Sequence, residues 1–243
     1  MTQSLAQNPA RSARYDRQEE AGGRRSQLLR AAGLILAAFF GALAVRTVLV
    51  EPFAIPSRSM APTLEAGDVI IVNKMAYGWS TASLPGSIAE QPANGDRLAG
   101  RAPRYGDVVV FRGAGSKDYV KRVMANGGDR VALTGGTLVL NGRPIPCKPA
   151  GNSLCNEMLP GGKTLLVRTG NGGPLADMAE IIVPQGHYFV LGDNRAASAD
   201  SRLSVADGGV GLVPHALLLG KVERILFSAN DGIVWPRIGL GIE

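Results

Sequence analysis

Beyond residue 50 the chain repeats one pattern: short apolar runs rich in Val and Ile, each bounded by Gly, Pro, Asn or Asp. The runs are DVIIV (68–72), GDVVVF (106–111), YVKRVM (119–124), DRVAL (129–133), TLVLNG (137–142), EIIVP (180–184), HYFVLG (187–192) and KVERILF (221–227). β-Branched residues fit a pleated, half-buried strand, and turn residues at each end break it. The pattern predicts a mostly β domain of antiparallel sheet over residues 51–243. Gly-Gly at 127–128 and 135–136 and Asn-Gly at 141–142 carry the turn chemistry of two-residue hairpins. Residues 78–104 and 148–176, dominated by Gly, Ser, Pro, Ala and Asn, read as long loops.

Upstream, the pattern is different. Residues 1–27 are polar and Arg-rich, with little to bury, and read as a disordered tail. Residues 28–50, LLRAAGLILAAFFGALAVRTVLV, are almost wholly apolar. As a helix they span roughly 34 Å, enough for the hydrocarbon core of a bilayer. Arg30 and Arg46 fall near the ends, where long side chains reach the headgroups. Ala42-Leu43-Ala44 also resembles the cleavage site of a secretory signal, but apolar character resumes at Thr47–Val50 and favours a retained anchor. Arginines ahead of the span predict an N-terminus inside and a domain outside the cytoplasm.

Composition narrows the partners. A hydrophobic fraction of 45% in 243 residues excludes wholesale disorder. A net charge of +6 raises nucleic acid or an anionic membrane as a partner. Arg11, Arg14, Arg17, Arg24, Arg25 and Arg30 precede or open the apolar segment, and no basic stripe interleaved with aromatics follows it. That distribution points to a phospholipid bilayer and away from nucleic acid. Cys147 and Cys155 bracket CKPAGNSLC, which lacks zinc-site spacing. Outside the cytoplasm they would form a local disulfide; in a reducing compartment they would be two free thiols.

The candidate chemistry is defined first by what is missing. The sequence has no HExxH, no GxSxG and no carboxylate cluster at metal spacing, so no metal or cofactor is predicted. His187 and His215 read as ordinary strand-end or surface residues. A hydrolase built here needs another base, and lysine is the candidate. The stretch FAIPSRSMAPTLEAGD (53–68) has a linker's composition, yet Ile55, Met60 and Leu64 give it anchors a linker does not need. In DYVKRVM (118–124), alternation places Tyr119, Lys121 and Val123 on one face and Val120, Arg122 and Met124 on the other. On an exposed face Lys121 would be a solvated lysine; on a buried face desolvation would lower its pKa. GDNRAASADSR (192–202) gathers Asp193, Asn194, Ser198, Asp200 and Arg202 in one loop, where Asp200 and Arg202 could pair.

Taken in order after an apolar segment, IPSRSMAPTL, RYGDVVVF, DYVKRV and GDNRAASADSR resemble the motifs of bacterial signal peptidase I, the Ser/Lys-dyad leader peptidases. The resemblance covers roughly residues 45–227. It implies Ser59 as nucleophile, Lys121 as general base and Ser198 as the serine that orients the lysine. It further implies an oxyanion hole from the Ser59 N–H and the Ser57 hydroxyl, an Asp200–Arg202 ion pair, and Asp193 as a supporting acid. Phe53, Ile55, Met60, Leu64, Tyr119 and Val120 match positions around the pockets for small side chains, with Val108 and Val110 on the neighbouring strand. Cys147–Cys155 falls where some members carry a disulfide.

The implied activity is removal of signal peptides from exported preproteins at Ala-x-Ala-like sites, by a single-pass enzyme of the bacterial cytoplasmic membrane facing outward. The alternatives are a pilin- or conjugation-type maturation peptidase with the same chemistry, and a catalytically inert membrane-tethered β-domain. Two local departures from the family pattern are RAAS before Ser198 and MANGGD after Lys121.

Overall fold

The computed structural model describes residues 27, 29–41, 49–78, 100–170 and 175–242. The chain divides into two compact units, Met1–Arg46 and Thr47–Glu243. In the first, residues 29–41 form a helix whose apolar side chains Leu34, Ile35, Leu36, Phe39 and Phe40 are exposed. Among the described residues no helix is long and apolar enough to cross a membrane. Part of the anchor expected over 28–50, namely residues 28 and 42–48, lies outside the described residues. So do residues 1–26 of the expected tail and residues 79–99 of the first expected loop.

The second unit is mostly β and antiparallel, in three sheets. The strands are β1 (Val50–Ala54), β2 (Asp68–Asn73), β3 (Val108–Arg112), β4 (Asp118–Asn126), β5 (Arg130–Thr134), β6 (Thr137–Leu140) and β7 (Arg143–Pro144). They continue with β8 (Cys147–Gly151), β9 (Leu154–Met158), β10 (Thr164–Arg168), β11 (Met178–Ile182), β12 (His187–Leu191), β13 (Val213–Pro214) and β14 (Leu218–Ser228). The large sheet runs β1-β2-β14-β3-β4-β12-β13. Two smaller sheets, β11-β5-β6-β7 and β10-β9-β8, complete the unit.

All eight apolar runs are strands, because each supplies a face to one of three buried clusters. One face of the large sheet carries Ile70, Val72, Val108, Val110, Val222 and Ile225 beneath the turn between β1 and β2. Val109, Phe111, Val123, Tyr188, Val190 and Leu218 fill the opposite face. The third cluster joins the sheets, with Met124, Phe189 and Leu191 of β4 and β12 meeting Leu133, Leu138, Leu140, Leu165 and Val167. Burial on both faces explains why β3 reads as a continuous apolar run.

Two local expectations are corrected. Residues 148–176 are not one long loop: they hold most of β8 and all of β9 and β10. Pro149, Gly151 and Asn152 hide the strand pattern there, while Cys155 and Glu157 are buried alternately along β9. Cys147 and Cys155 form a disulfide across the β8–β9 pair, and no described cysteine is free. Gly127–Gly128 does not close a hairpin, since β4 and β5 belong to different sheets. It lets the chain leave the large sheet, with the Asp129 carboxylate bonded to the Asn126 N–H and the Tyr105 hydroxyl. Gly135–Gly136 and Asn141–Gly142 do close the β5–β6 and β6–β7 hairpins.

Candidate active site

Ser59 lies in the turn-rich connection, residues 55–67, between β1 and β2. The turn is anchored from below, because Met60 and Leu64 are fully buried in the cluster under the sheet. It is also clamped from the side: the Asn194 N–H donates to the Ser59 carbonyl at 3.0 Å, and its Nδ2 donates to the Arg58 carbonyl at 3.1 Å. Ser57 is exposed, with its hydroxyl 3.3 Å from Ser59 Oγ.

Lys121 sits within β4, paired with Val109 of β3, while the ladder to β12 on the other side ends one residue further on at Arg122. Its side chain is 4% exposed, and Nζ lies 2.8 Å from Ser59 Oγ. Burial pulls the amine down from its ordinary 10.5 to about 8, against the opposing attraction of Asp200 and Asp193. Both carboxylates are neutralised by closer partners.

Asp193 takes two hydrogen bonds from Arg122, at 2.8 and 2.7 Å. Arg122 also donates to the Gly106 carbonyl at 2.6 Å. Asp200 is fully buried and accepts from Arg202 Nε at 2.8 Å and Nη2 at 3.0 Å, and from the Gly192 N–H at 3.1 Å. The expected Asp200–Arg202 pair is therefore present, and Asp193 is one half of a second buried pair.

Ser198 is 6% exposed, and its hydroxyl is buried without a hydrogen-bond partner. The expected bond from Ser198 to Lys121 is not formed. Gly192 packs between Ser198 and the Ser59 turn: a Cβ built there would stand 2.3 Å from Ser198 Oγ and 2.4 Å from the Ser59 carbonyl oxygen.

Of the expected pocket residues, Phe53, Ile55, Met60, Leu64 and Val120 gather in one cluster with Val108 and Val110. Ile55, Met60 and Leu64 are its buried floor, while Phe53 and Val120 are half-buried at its edge. Tyr119 packs instead in the cluster on the opposite face of β4, stacked on Phe111 at 5.8 Å between ring centroids.

Arg122, Gly192 and Glu157 are not marked as site residues by the sequence, and Asn194 is marked only as a member of the 192–202 loop, with no role. Arg122 directly follows Lys121 and lies on the other face of β4; only knowledge that both faces are covered would have marked it. Among the described residues no cluster of His, Cys, Asp or Glu could hold a metal ion.

Residues 27–227 match the family model described as signal peptidase, peptidase S26. The chain belongs to this family. It is 32% identical to a signal peptidase I of Rickettsia typhi over 219 residues, covering 83% of this chain and 80% of the relative. It is 36% identical to a signal peptidase I of Pseudomonas aeruginosa over 207 residues, covering 79% of this chain and 70% of that one. A crystal structure of a signal peptidase I from Enterococcus faecalis aligns at 24% identity with a TM-score of 0.32, covering 50% of this chain and 97% of that one. At that score the family rests on sequence alone.

As a signal peptidase I homologue the protein is a serine endopeptidase, which sets aside the inert β-domain. Membership also supports signal peptide removal as its activity. In the RAAS segment Ala196 and Ala197 are exposed, and a Cβ at Gly170 would meet the Ala196 Cβ at 3.1 Å.

Proposed function

We propose that the protein is a membrane-bound endopeptidase that removes N-terminal signal peptides from exported preproteins at Ala-x-Ala-like sites, with Ser59 as nucleophile and Lys121 as general base. The observation that carries the proposal is the 2.8 Å approach of a buried amine to a serine hydroxyl. An amine that ionises near 8 is partly neutral at working pH and accepts the hydroxyl proton.

Ser59 Oγ then bonds to the scissile carbonyl carbon, and its proton passes to Lys121 Nζ. The Ser59 N–H and the Ser57 hydroxyl donate to the oxyanion that forms. Collapse breaks the C–N bond, the Lys121 ammonium protonates the departing amine, and the mature protein leaves. A water attacks the acyl-enzyme, again giving its proton to Lys121, and the signal peptide is released as Ser59 regains its own. Ser198 offers Lys121 a hydroxyl as it swings between the two proton positions.

In this reading Phe53 and Val120, half-buried at the edge of the cluster that holds Ile55, Met60 and Leu64, border the sites for small side chains at the −1 and −3 positions. In this reading residues 28–50 anchor the enzyme with its N-terminus in the cytoplasm and the β domain on the outer face of the bacterial cytoplasmic membrane. Tethering confines enzyme and preprotein to one plane and raises their effective concentration.

The test is to incubate the detergent-solubilised full chain with several unrelated preproteins and map the new N-termini by mass spectrometry. Cleavage after Ala-x-Ala in each, abolished by Leu at −1, is the expected result. Cleavage of a single preprotein class would assign the narrow maturation peptidase instead. Cleavage indifferent to the −1 side chain would contradict the pocket.

A further inference from the structure

Behind the loop that carries Ser198 lies an ion pair that the dyad chemistry does not use. Glu157 of β9 and Arg195 of the 3₁₀ turn after β12 (Arg195–Ala197) are 3% and 8% exposed. Both carboxylate oxygens of Glu157 accept from the two terminal nitrogens of Arg195, in the two-pronged arrangement that fixes orientation as well as distance. The third nitrogen of Arg195, Nε, donates to the Gly192 carbonyl at 3.2 Å. The Arg195 carbonyl accepts from Arg202 Nη2 at 2.8 Å, which ties the pair to Asp200. Gly192 is the residue pressed between Ser198 Oγ and the Ser59 carbonyl.

Glu157 is itself held rigidly. It stands opposite Cys147 in the β8–β9 register and two residues beyond Cys155, inside the disulfide-stapled sheet. The same sheet meets the loop a second time, where the Arg168 N–H at the end of β10 donates to the Asp193 carbonyl at 2.8 Å.

We propose that Glu157 is a positioning residue for the cleavage reaction: acting through Arg195, it fixes Gly192 and so the placement of Ser198 and the Ser59 turn. This rests on the Ser59–Lys121 reading. The stapled β8–β9–β10 sheet is then a buttress for the catalytic loop. Misplacement of about 1 Å by a group remote from the chemistry can cost about 100-fold in rate.

A buried pair can serve stability alone, so the experiment separates the two roles. For the full chain in detergent, kcat, KM and the melting temperature are measured for wild type, Glu157→Gln, the double variant Glu157→Met with Arg195→Met, and Ser59→Ala. Glu157→Gln strands a buried guanidinium; it is expected to lower both the melting temperature and kcat, the latter by about 10- to 100-fold, with KM within about threefold. The double variant leaves no unpaired buried charge and is expected to recover the melting temperature while kcat stays at least about tenfold down. Recovery of kcat together with the melting temperature would make the pair a stability element and overturn the proposal. So would wild-type kcat in Glu157→Gln. Turnover persisting in Ser59→Ala would overturn the dyad reading itself, and is read without reference to Glu157.

Discussion

Lys121→Met is expected to bring preprotein cleavage down by more than ~10⁴-fold and, at pH 6.5, to make the folded chain more stable than wild type. The loss of activity follows from removing the amine that lies 2.8 Å from Ser59 Oγ and would take its proton. The gain in stability follows from the direction of the Lys121 shift. Its folded-state pKa, about 8, lies below the ordinary 10.5 that it has in the unfolded chain. Below pH 8 both states hold the proton, and folding carries the full penalty of burying an ammonium, ~3 kcal/mol. Between about 8 and 10.5 the folded state releases the proton first and the penalty shrinks; above that range it is gone. Methionine fills similar space without the charge, so the melting temperature at pH 6.5 should rise by roughly 6–12 °C. Ser59→Ala should lose activity to the same degree while melting within about 1–2 °C of wild type, because it leaves the buried amine in place. A lower melting temperature for Lys121→Met would show that the buried amine is not the destabilising group described here.

Gly192→Ala should lower kcat by about 10²–10³-fold with little change in KM. The added methyl would stand 2.3 Å from Ser198 Oγ, 2.5 Å from Ser198 Cβ and 2.4 Å from the Ser59 carbonyl oxygen. Contacts this short force something to move. The Ser59 carbonyl is held by the Asn194 N–H at 3.0 Å, and the Gly192 N–H is held by Asp200 at 3.1 Å, so neither backbone yields alone. Relief has to come from Ser198 or from the whole Ser59 turn, and both shifts disturb the geometry around the dyad. Kinetics of the purified variant, beside its melting curve, check this. A kcat within threefold of wild type would mean that the site tolerates displacement of these groups.

Local pattern carried much of the fold. Each Val/Ile run became a strand because β-branched residues bounded by turn residues suit a two-sided core. Sheet order was not legible: β14 lies between β2 and β3, and no short-range pattern encodes a strand from the end of the chain inserting there. Strands β8–β10 were obscured by Pro, Gly and Asn, whose turn chemistry masks the alternation at Cys155 and Glu157. At the site, alternation put Lys121 on a face whose burial would depress its pKa, and that face is buried. The same alternation puts Arg122 on the opposite face and says nothing of a partner for it there. Both faces of β4 are covered, so Arg122 needs a carboxylate and finds Asp193, 71 positions away. Pairings over such separations, like Glu157 with Arg195, depend on how the sheets stack and leave no mark in the local sequence.

In the proposed mechanism an uncharged lysine amine takes the proton of a serine hydroxyl, and the pH dependence of kcat/KM on an Ala-x-Ala preprotein reads that step directly. With Lys121 ionising at about 8, kcat/KM of the full chain should climb through a midpoint near that pH and be roughly tenfold lower at pH 7 than at pH 9. A profile that is flat from pH 6 to 9, or one still rising steeply at pH 10, would contradict the account.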